Sequence, residues 1–153
     1  MKKVWIISGN IFVKSLVPAT FVLGYLYFKL EFLDLMLTIV LIDDDPISTF
    51  VTEKLISKNV SEPCKFFKYQ SAKQALKEIY SIRPNYLFLD LNMPEMNGWD
   101  FLDSFNSSQN QAQIYILSSS VDDRDITKAR TYSIVKDYLS KPLIKKYIKS
   151  IFS

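Results

Sequence analysis

The sequence contains no histidine, a single cysteine and only three glycines. Without histidine, the chain cannot form a Ser-His-Asp triad, a histidine-ligated zinc site or a metalloprotease helix. The lone Cys64 excludes an intramolecular disulfide and a multi-cysteine metal site, and it is typical of a reducing compartment. The glycines are too widely spaced for a dinucleotide-binding motif or a P-loop. Any chemistry must therefore use carboxylates, hydroxyls and lysines.

Length and charge restrict the possibilities further. A chain of 153 residues can supply one domain with a full core, or one domain with an appendage. Hydrophobic residues make up 48% of the chain and charged residues 23%, which is typical of a globular protein. A net charge of +3 is too weak to indicate a polyanion-binding surface, so we expect no nucleic-acid partner.

The first 35 residues are more apolar than the rest of the chain. Their longest charge-free run, residues 15–28, is shorter than the roughly 20 residues that a membrane-spanning helix needs. Lys14 divides the apolar region, and no small-residue cleavage site of a signal peptide follows it. We interpret residues 1–35 as a hydrophobic extension that is either non-native or weakly membrane-associating, and we expect the compact domain to comprise residues 36–153.

From residue 36 onward, strand and helix patterns alternate. The predicted strands are 38–42, 64–68, 86–89, 114–117 and 137–139. The predicted helices that follow them are 47–58, 71–81, 98–105, 123–132 and 143–152. The apolar spacing of Ile47, Phe50, Val51, Leu55 and Ile56 predicts the first helix. Five strand-helix units in succession indicate an α/β domain with a parallel sheet covered by helices on both faces.

Polar side chains follow the predicted strands at the points where ligands bind in such a sheet, outside the carboxyl ends of the strands. They are Asp43, Asp44 and Asp45 after the first strand, Asp90 after the third, Ser118 after the fourth and Lys141 after the fifth. Since the strands run parallel, we expect these residues to meet at one edge of the sheet.

The aspartates indicate a metal site. Carboxylates gathered at one edge repel one another unless a cation joins them, and oxygen ligands without histidine or cysteine favour Mg²⁺. Asp45 has a separate explanation, because Asp followed by Pro46 is a common helix start, with Asp as the N-cap and Pro at the first helical position. We therefore interpret Asp43 and Asp44 as the metal-binding pair.

Asp90 lies at the exit of a buried strand, where a carboxylate costs free energy unless its charge interacts with a partner. A carboxylate can act as a nucleophile and accept a phosphoryl group as a mixed anhydride. Positioning and charge neutralisation catalyse such a transfer, and Lys141 can offer an ammonium and Ser118 a hydroxyl to the phosphoryl oxygens. In the loop after Asp90, Pro94 fixes a turn and Gly98 can adopt a positive φ.

Four segments, LIDDDP, YLFLDLNMPEMNG, YILSSS and DYLSKP, resemble in order and spacing the receiver domains of two-component response regulators. The resemblance covers residues 36–153 and is strongest to single-domain, chemotaxis-regulator-like members. It implies a doubly wound, flavodoxin-like sheet of five parallel strands in the order 2-1-3-4-5. It also implies Mg²⁺ as cofactor, with Asp43 and Asp44 as the acidic pair, Asp90 as the phosphoacceptor and Asn92 as a metal ligand through its backbone carbonyl.

The same resemblance assigns roles and partners. It implies that Lys141 binds the phosphate, that Ser118 is the switch hydroxyl and that Tyr138 is the aromatic residue whose rotamer reports activation. It also implies a histidine kinase or a phosphotransfer protein as the donor, and because this chain has no histidine, the donor histidine must belong to such a partner. We expect a cytoplasmic signalling domain rather than an enzyme, one that assists its own phosphoryl transfer and dephosphorylation. It would act on a downstream protein by contact, as a monomer or a phosphorylation-dependent dimer.

Two alternatives remain open. Phosphatases of the haloacid-dehalogenase type also combine Asp with Ser and Lys, but their second aspartate, two residues after the nucleophile, acts as general acid. Here that position is Asn92, and an amide cannot transfer the proton. The other alternative is an interaction module that keeps the fold and is never phosphorylated, although every position that the chemistry needs is filled.

Overall fold

The computed structural model describes residues 5–7, 10–12, 23–24 and 36–153. The chain divides into two units, Met1–Leu35 and Met36–Ser153. In the first unit, the strand Trp5–Ile7 pairs antiparallel with the strand Asn10–Phe12. Most of the predicted extension, and with it the choice between a non-native and a membrane-associating segment, lies outside the described residues. None of the described helices is long and apolar enough to cross a bilayer.

The second unit alternates five strands with five helices. In chain order they are β1 (Leu37–Ile42), α1 (Pro46–Asn59), β2 (Cys64–Tyr69), α2 (Ala72–Ile82), β3 (Tyr86–Leu89), α3 (Gly98–Ser104), β4 (Gln113–Ser118), α4 (Asp123–Ala129), β5 (Val135–Ser140) and α5 (Lys145–Ile151). All strand pairs are parallel, and the order across the sheet is β2-β1-β3-β4-β5. The predicted doubly wound, flavodoxin-like class and strand order are confirmed.

The central strand β1 is apolar throughout because it is buried on both faces. Ile39 and Leu41 belong to a core with Ile56 of α1 and Ile148 of α5. Val40 and Ile42 point the other way and belong to a second core, which includes buried residues of α2, α3 and α4. The sheet therefore carries one core on each face, covered by helices.

Helix α1 begins where the sequence predicts, but most of the apolar residues that predict it are not on its buried face. Asp45 is its N-cap, with Oδ1 accepting from the Ile47 amide at 2.9 Å. Three of the five apolar residues that predict the helix lie outside its inner face, because Ile47 is 70%, Phe50 53% and Val51 39% exposed. The buried residues are Thr49, Thr52 and Ile56, which lie on one side of the helix.

The ends of the last two helices differ from the prediction. Helix α4 ends at Ala129 rather than residue 132, and α5 begins at Lys145 rather than residue 143. Leu143 is almost fully buried before the helix starts, so its apolar character reflects core packing rather than helical periodicity. Apolar spacing identifies an element but does not determine where its backbone hydrogen bonds begin and end.

Candidate functional site

The carboxyl ends of four strands bring the predicted polar residues to one edge of the sheet, where the strand order reverses between β1 and β3. Asp43 directly follows β1, Asp90 follows β3 and Lys141 follows β5, while Ser118 is the last residue of β4. The Lys141 amide donates to the Ser118 carbonyl at 2.9 Å, which holds the ends of β4 and β5 together. Residues up to 98 positions apart along the chain thus form one site.

Lys141 lies between two buried carboxylates. Its Nζ is 2.6 Å from Asp43 Oδ2 and 2.8 Å from Asp90 Oδ2. The three side chains are 16%, 7% and 8% exposed, so water screens their charges only weakly. Burial alone would lower the pKa of Lys141, but the hydrogen bonds and charges of the two aspartates outweigh burial and raise it. The side chain therefore remains an ammonium at neutral pH.

The carboxylate of Asp43 is held by three donors. Its Oδ1 accepts from the Asp45 amide at 3.0 Å, and its Oδ2 accepts from Lys141 and from the Ser48 hydroxyl, the latter at 2.5 Å. Ser48 was not among the residues predicted from the sequence. Its position three residues after the N-cap Asp45 was the available signal, since it places the hydroxyl in the first turn of a helix that starts at the site.

Asp90 presents its two carboxylate oxygens to different partners. Oδ1 accepts from the backbone amides of Leu91 at 2.7 Å and Asn92 at 3.4 Å, while Oδ2 accepts from Lys141. The backbone amides fix the orientation of the carboxylate. Oδ2 consequently faces Lys141, the one cation of the cluster. The Asn92 side chain is exposed, and its predicted role as a metal ligand through the backbone carbonyl stays a prediction.

The charges of this cluster fit a divalent cation. Carboxylate oxygens of Asp43, Asp44 and Asp90 lie within 4.8 Å of one another. Three carboxylates and one ammonium leave two negative charges uncompensated, and Asp44 makes no ion pair within residues 36–153. Oxygen donors of this kind suit a hard ion such as Mg²⁺. The donor set is therefore consistent with the predicted magnesium site.

Gly98 is required for space rather than for its φ angle. Gly98 does not use the positive φ that a glycine can adopt, and in this loop Glu95 has one instead, with φ 65°. A Cβ on Gly98 would lie 2.5 Å from the Asp90 carbonyl oxygen and 2.9 Å from the Leu91 Cα. The start of α3 therefore packs directly on the backbone that carries Asp90.

This close approach makes Gly98→Ala a test of the loop. Because a methyl group here would overlap backbone atoms, we expect the free energy of unfolding to fall by roughly 2 kcal/mol in urea denaturation. Ser104→Ala, on an exposed position of the same helix, is the control and should change it by less than about 0.5 kcal/mol. Equal stability of Gly98→Ala and the parent protein would contradict the close packing.

The two predicted switch residues meet through the loop between β4 and α4. Ser118 is fully buried, and its Oγ accepts from the Ser120 amide at 3.2 Å. The half-buried Tyr138 donates its hydroxyl to the Ser120 carbonyl at 2.9 Å. Ser120, which the sequence reasoning did not single out, thus lies between them. The switch roles of Ser118 and Tyr138 remain predictions.

A family model for the response regulator receiver domain matches residues 39–152. The chain belongs to the response regulator receiver family. Receiver domains are components of two-component systems, they interact with histidine kinases or phosphotransfer proteins, and they generally bind Mg²⁺. The resemblance seen in the sequence is confirmed at this level.

Individual relatives agree with this assignment. The receiver domain is 32% identical over 92 residues to the nitrate/nitrite response regulator protein NarL of Escherichia coli strain K12, a match covering 60% of this chain and 42% of NarL. It is 30% identical over 116 residues to protein-glutamate methylesterase/protein-glutamine glutaminase 3 of Burkholderia thailandensis, covering 70% of this chain and 29% of that protein. The chain spans less than half the length of both relatives, so their activities are not assigned to it.

A solved structure supports the fold. The crystal structure of a two component response regulator from Cytophaga hutchinsonii superimposes on the receiver domain with a TM-score of 0.69 and 29% sequence identity. The superposition covers 75% of this chain and 92% of that one.

Proposed function

We propose that the protein is a phosphorylatable receiver that accepts a phosphoryl group on Asp90 from a histidine kinase or a histidine phosphotransfer protein. The observation that carries this proposal is the contact of Lys141 Nζ with Asp90 Oδ2, while backbone amides hold Asp90 Oδ1. A carboxylate fixed in this way, with a permanent cation at its reactive side, is prepared for a phosphoryl group that brings additional negative charge.

The transfer joins the phosphorus to a carboxylate oxygen of Asp90 as its bond to the donor's histidine nitrogen breaks. This chain has no histidine, so the donor group belongs to another protein. Lys141 can shift its ammonium from the two carboxylates to the phosphoryl oxygens, and Ser118 can donate its hydroxyl to one of them. The domain assists this transfer and the later hydrolysis, in which water takes the phosphoryl group from Asp90 as inorganic phosphate, and we propose that it has no separate enzymatic activity.

Four groups of this chain would hold Mg²⁺: the carboxylates of Asp43, Asp44 and Asp90 and the backbone carbonyl of Asn92. When bound, the ion supplies charge neutralisation for the phosphoryl oxygens. The bonds that Asp43 receives from Ser48 and Asp45 orient its carboxylate before any ion arrives. Such preorganisation lowers the cost of assembling the site.

Exposed apolar side chains lie close in sequence to the site residues and offer a contact surface for the donor. Ile47 and Phe50 lie in the first turns of α1, Val121 lies three residues after Ser118, and Ile144 lies three residues after Lys141. A donor must cover this edge of the sheet to bring its histidine to Asp90. Exposed apolar residues grouped at such a place are typical of protein interfaces.

The signal would leave the domain through protein contact. We propose that Ser118 and Tyr138 couple phosphorylation to the surface formed by α4, β5 and α5, as a bias on a pre-existing equilibrium. A cytoplasmic location and a phosphorylation-dependent dimer are parts of this proposal. The cognate kinase would be sought by measuring transfer from a panel of histidine-phosphorylated donors.

Acetyl phosphate with Mg²⁺ tests the proposal without a kinase. We expect intact-mass spectrometry to find one phosphoryl group on the protein, located on Asp90, and none on Asp90→Asn. The control Asp123→Asn removes an exposed carboxylate of α4 and should label like the parent protein. The proposal fails if the parent protein stays unlabelled, or if Asp90→Asn retains the label.

A further inference from the structure

Four hydrogen bonds converge on Ser120 in the loop between β4 and α4. Its amide donates to Ser118 Oγ at 3.2 Å, and its carbonyl accepts from the Tyr138 hydroxyl at 2.9 Å. Its own hydroxyl donates to Asp125 Oδ2 at 2.6 Å and accepts from the Asp122 amide at 3.3 Å. The first two bonds use backbone atoms that any residue would supply. The bonds to α4 and its N-cap depend on the serine hydroxyl.

Within residues 36–153, helix α4 makes few other side-chain contacts with the rest of the domain. Ala129 is its one buried residue. At its carboxyl end, Lys128 Nζ lies 4.4 Å from the centroid of the Trp99 ring, which also stacks on Tyr132 at 5.6 Å. Its first turn, Asp123 to Asp125, contains no buried side chain, and the bond from Asp125 to Ser120 links this turn to the loop after β4. An element with so little buried surface is easily displaced.

We propose that the Ser120 hydroxyl is a positioning group that ties the first turn of α4, through Asp125, to the loop that carries Ser118. Ser118 is fully buried and its Oγ accepts from the Ser120 amide, so a displacement of this oxygen changes that hydrogen bond. Any displacement of its Oγ towards a phosphoryl group on Asp90 is passed to Ser120 through the hydrogen bond that the Ser120 amide donates to this oxygen. The bond to Asp125 then carries it to α4. The part concerning phosphorylation depends on the proposed function, whereas the tether itself does not.

The strength of the tether follows from its acceptor. A hydroxyl bound to a carboxylate at 2.6 Å is a charge-assisted bond, roughly twice as strong as one between neutral groups. Asp125 is half-buried, which limits the competition of water with the Ser120 hydroxyl for its carboxylate. Removing the hydroxyl should therefore favour local opening of the first turn of α4, while the bonds of Ser118 and Tyr138 to the backbone of residue 120 remain.

Hydrogen-deuterium exchange on the full chain tests this inference. In resting Ser120→Ala, we expect amides of the first turns of α4 to exchange about tenfold faster than in the parent protein, which corresponds to about 1.4 kcal/mol. Ser119→Ala is the matched control, because its exposed hydroxyl makes no hydrogen bond within residues 36–153. It should exchange like the parent protein. Asp125→Ala should accelerate exchange, and adding Ser120→Ala to it should add less than the single Ser120→Ala effect, because only the weaker bond from the Asp122 amide remains to be lost.

Acetyl phosphate and Mg²⁺ then test the coupling. When the variants are compared at equal phosphate occupancy on Asp90, the change in α4 exchange on phosphorylation should be lost in Ser120→Ala and kept in Ser119→Ala. Equal effects of the two serine substitutions, additive effects of Ser120→Ala and Asp125→Ala, or an unaltered α4 response in Ser120→Ala would each overturn the inference. If the parent protein takes up no phosphate, the proposed function fails, while the resting-state comparison still decides whether the tether exists.

Discussion

Replacing Lys141 by methionine is expected to lower the free energy of unfolding by about 3–5 kcal/mol in Mg²⁺-free buffer. Lys141 is the one cation that contacts Asp43 and Asp90 within residues 36–153, and both carboxylates are more than nine-tenths buried. Its removal leaves two buried negative charges that repel each other and have no cation beside them. Methionine keeps most of the apolar volume, so the loss would measure charge rather than packing. Urea denaturation followed by circular dichroism provides the measurement.

Added Mg²⁺ should restore part of the stability lost in Lys141→Met, because a dication at the cluster compensates the same carboxylates. Phosphorylation by acetyl phosphate should nevertheless stay strongly reduced, since the ammonium that binds the phosphoryl oxygens is missing. Lys145→Met is the control, because this exposed lysine of α5 makes no salt bridge in the described unit, and its stability should change by less than about 0.5 kcal/mol. Identical stabilities of Lys141→Met and Lys145→Met would refute the charge argument.

Much of the site could be predicted because parallel topology converts chain order into spatial position. Once five strand-helix units are recognised, the residue after each strand must lie at the same edge of the sheet. Asp43, Asp90 and Lys141 were found in this way, although nothing local to any of them reveals the others. The start of α1 was predictable for a different reason, since Asp45 and Pro46 satisfy a purely local rule.

The parts that sequence reasoning missed depend on facing surfaces. Ser48 and Ser120 matter because particular carboxylates, of Asp43 and Asp125, lie within hydrogen-bonding distance. Helix periodicity does not determine such distances. The inner face of α1 was not predictable from apolar residues, because most of them lie on its exposed side and the buried Thr49 satisfies its own hydroxyl by donating to the Pro46 carbonyl. A buried threonine therefore leaves no apolar signal in the sequence.

Asp44→Asn should have the opposite effect on stability from Lys141→Met. Asp44 is exposed and pairs with no cation in the described unit, while its carboxylate lies within 4.8 Å of those of Asp43 and Asp90. Neutralising it removes repulsion without removing an attractive contact. In Mg²⁺-free buffer we expect the free energy of unfolding to rise by about 1 kcal/mol, the size of a charge pair at this distance in water. Urea denaturation in the presence of a chelator measures this gain.

Added Mg²⁺ should make the parent protein more stable than Asp44→Asn, which reverses their order in Mg²⁺-free buffer. At an Mg²⁺ concentration of about 100 times its dissociation constant, binding would stabilise the parent protein by roughly 2.7 kcal/mol, whereas Asp44→Asn, lacking a ligand, should gain much less. The curves of stability against Mg²⁺ concentration should therefore cross. Asp45→Asn is the matched control, because asparagine keeps the N-cap of α1 while removing a neighbouring charge, and it should retain the Mg²⁺ response. Parallel curves for Asp44→Asn and the parent protein would mean that Asp44 repels its neighbours without serving the ion.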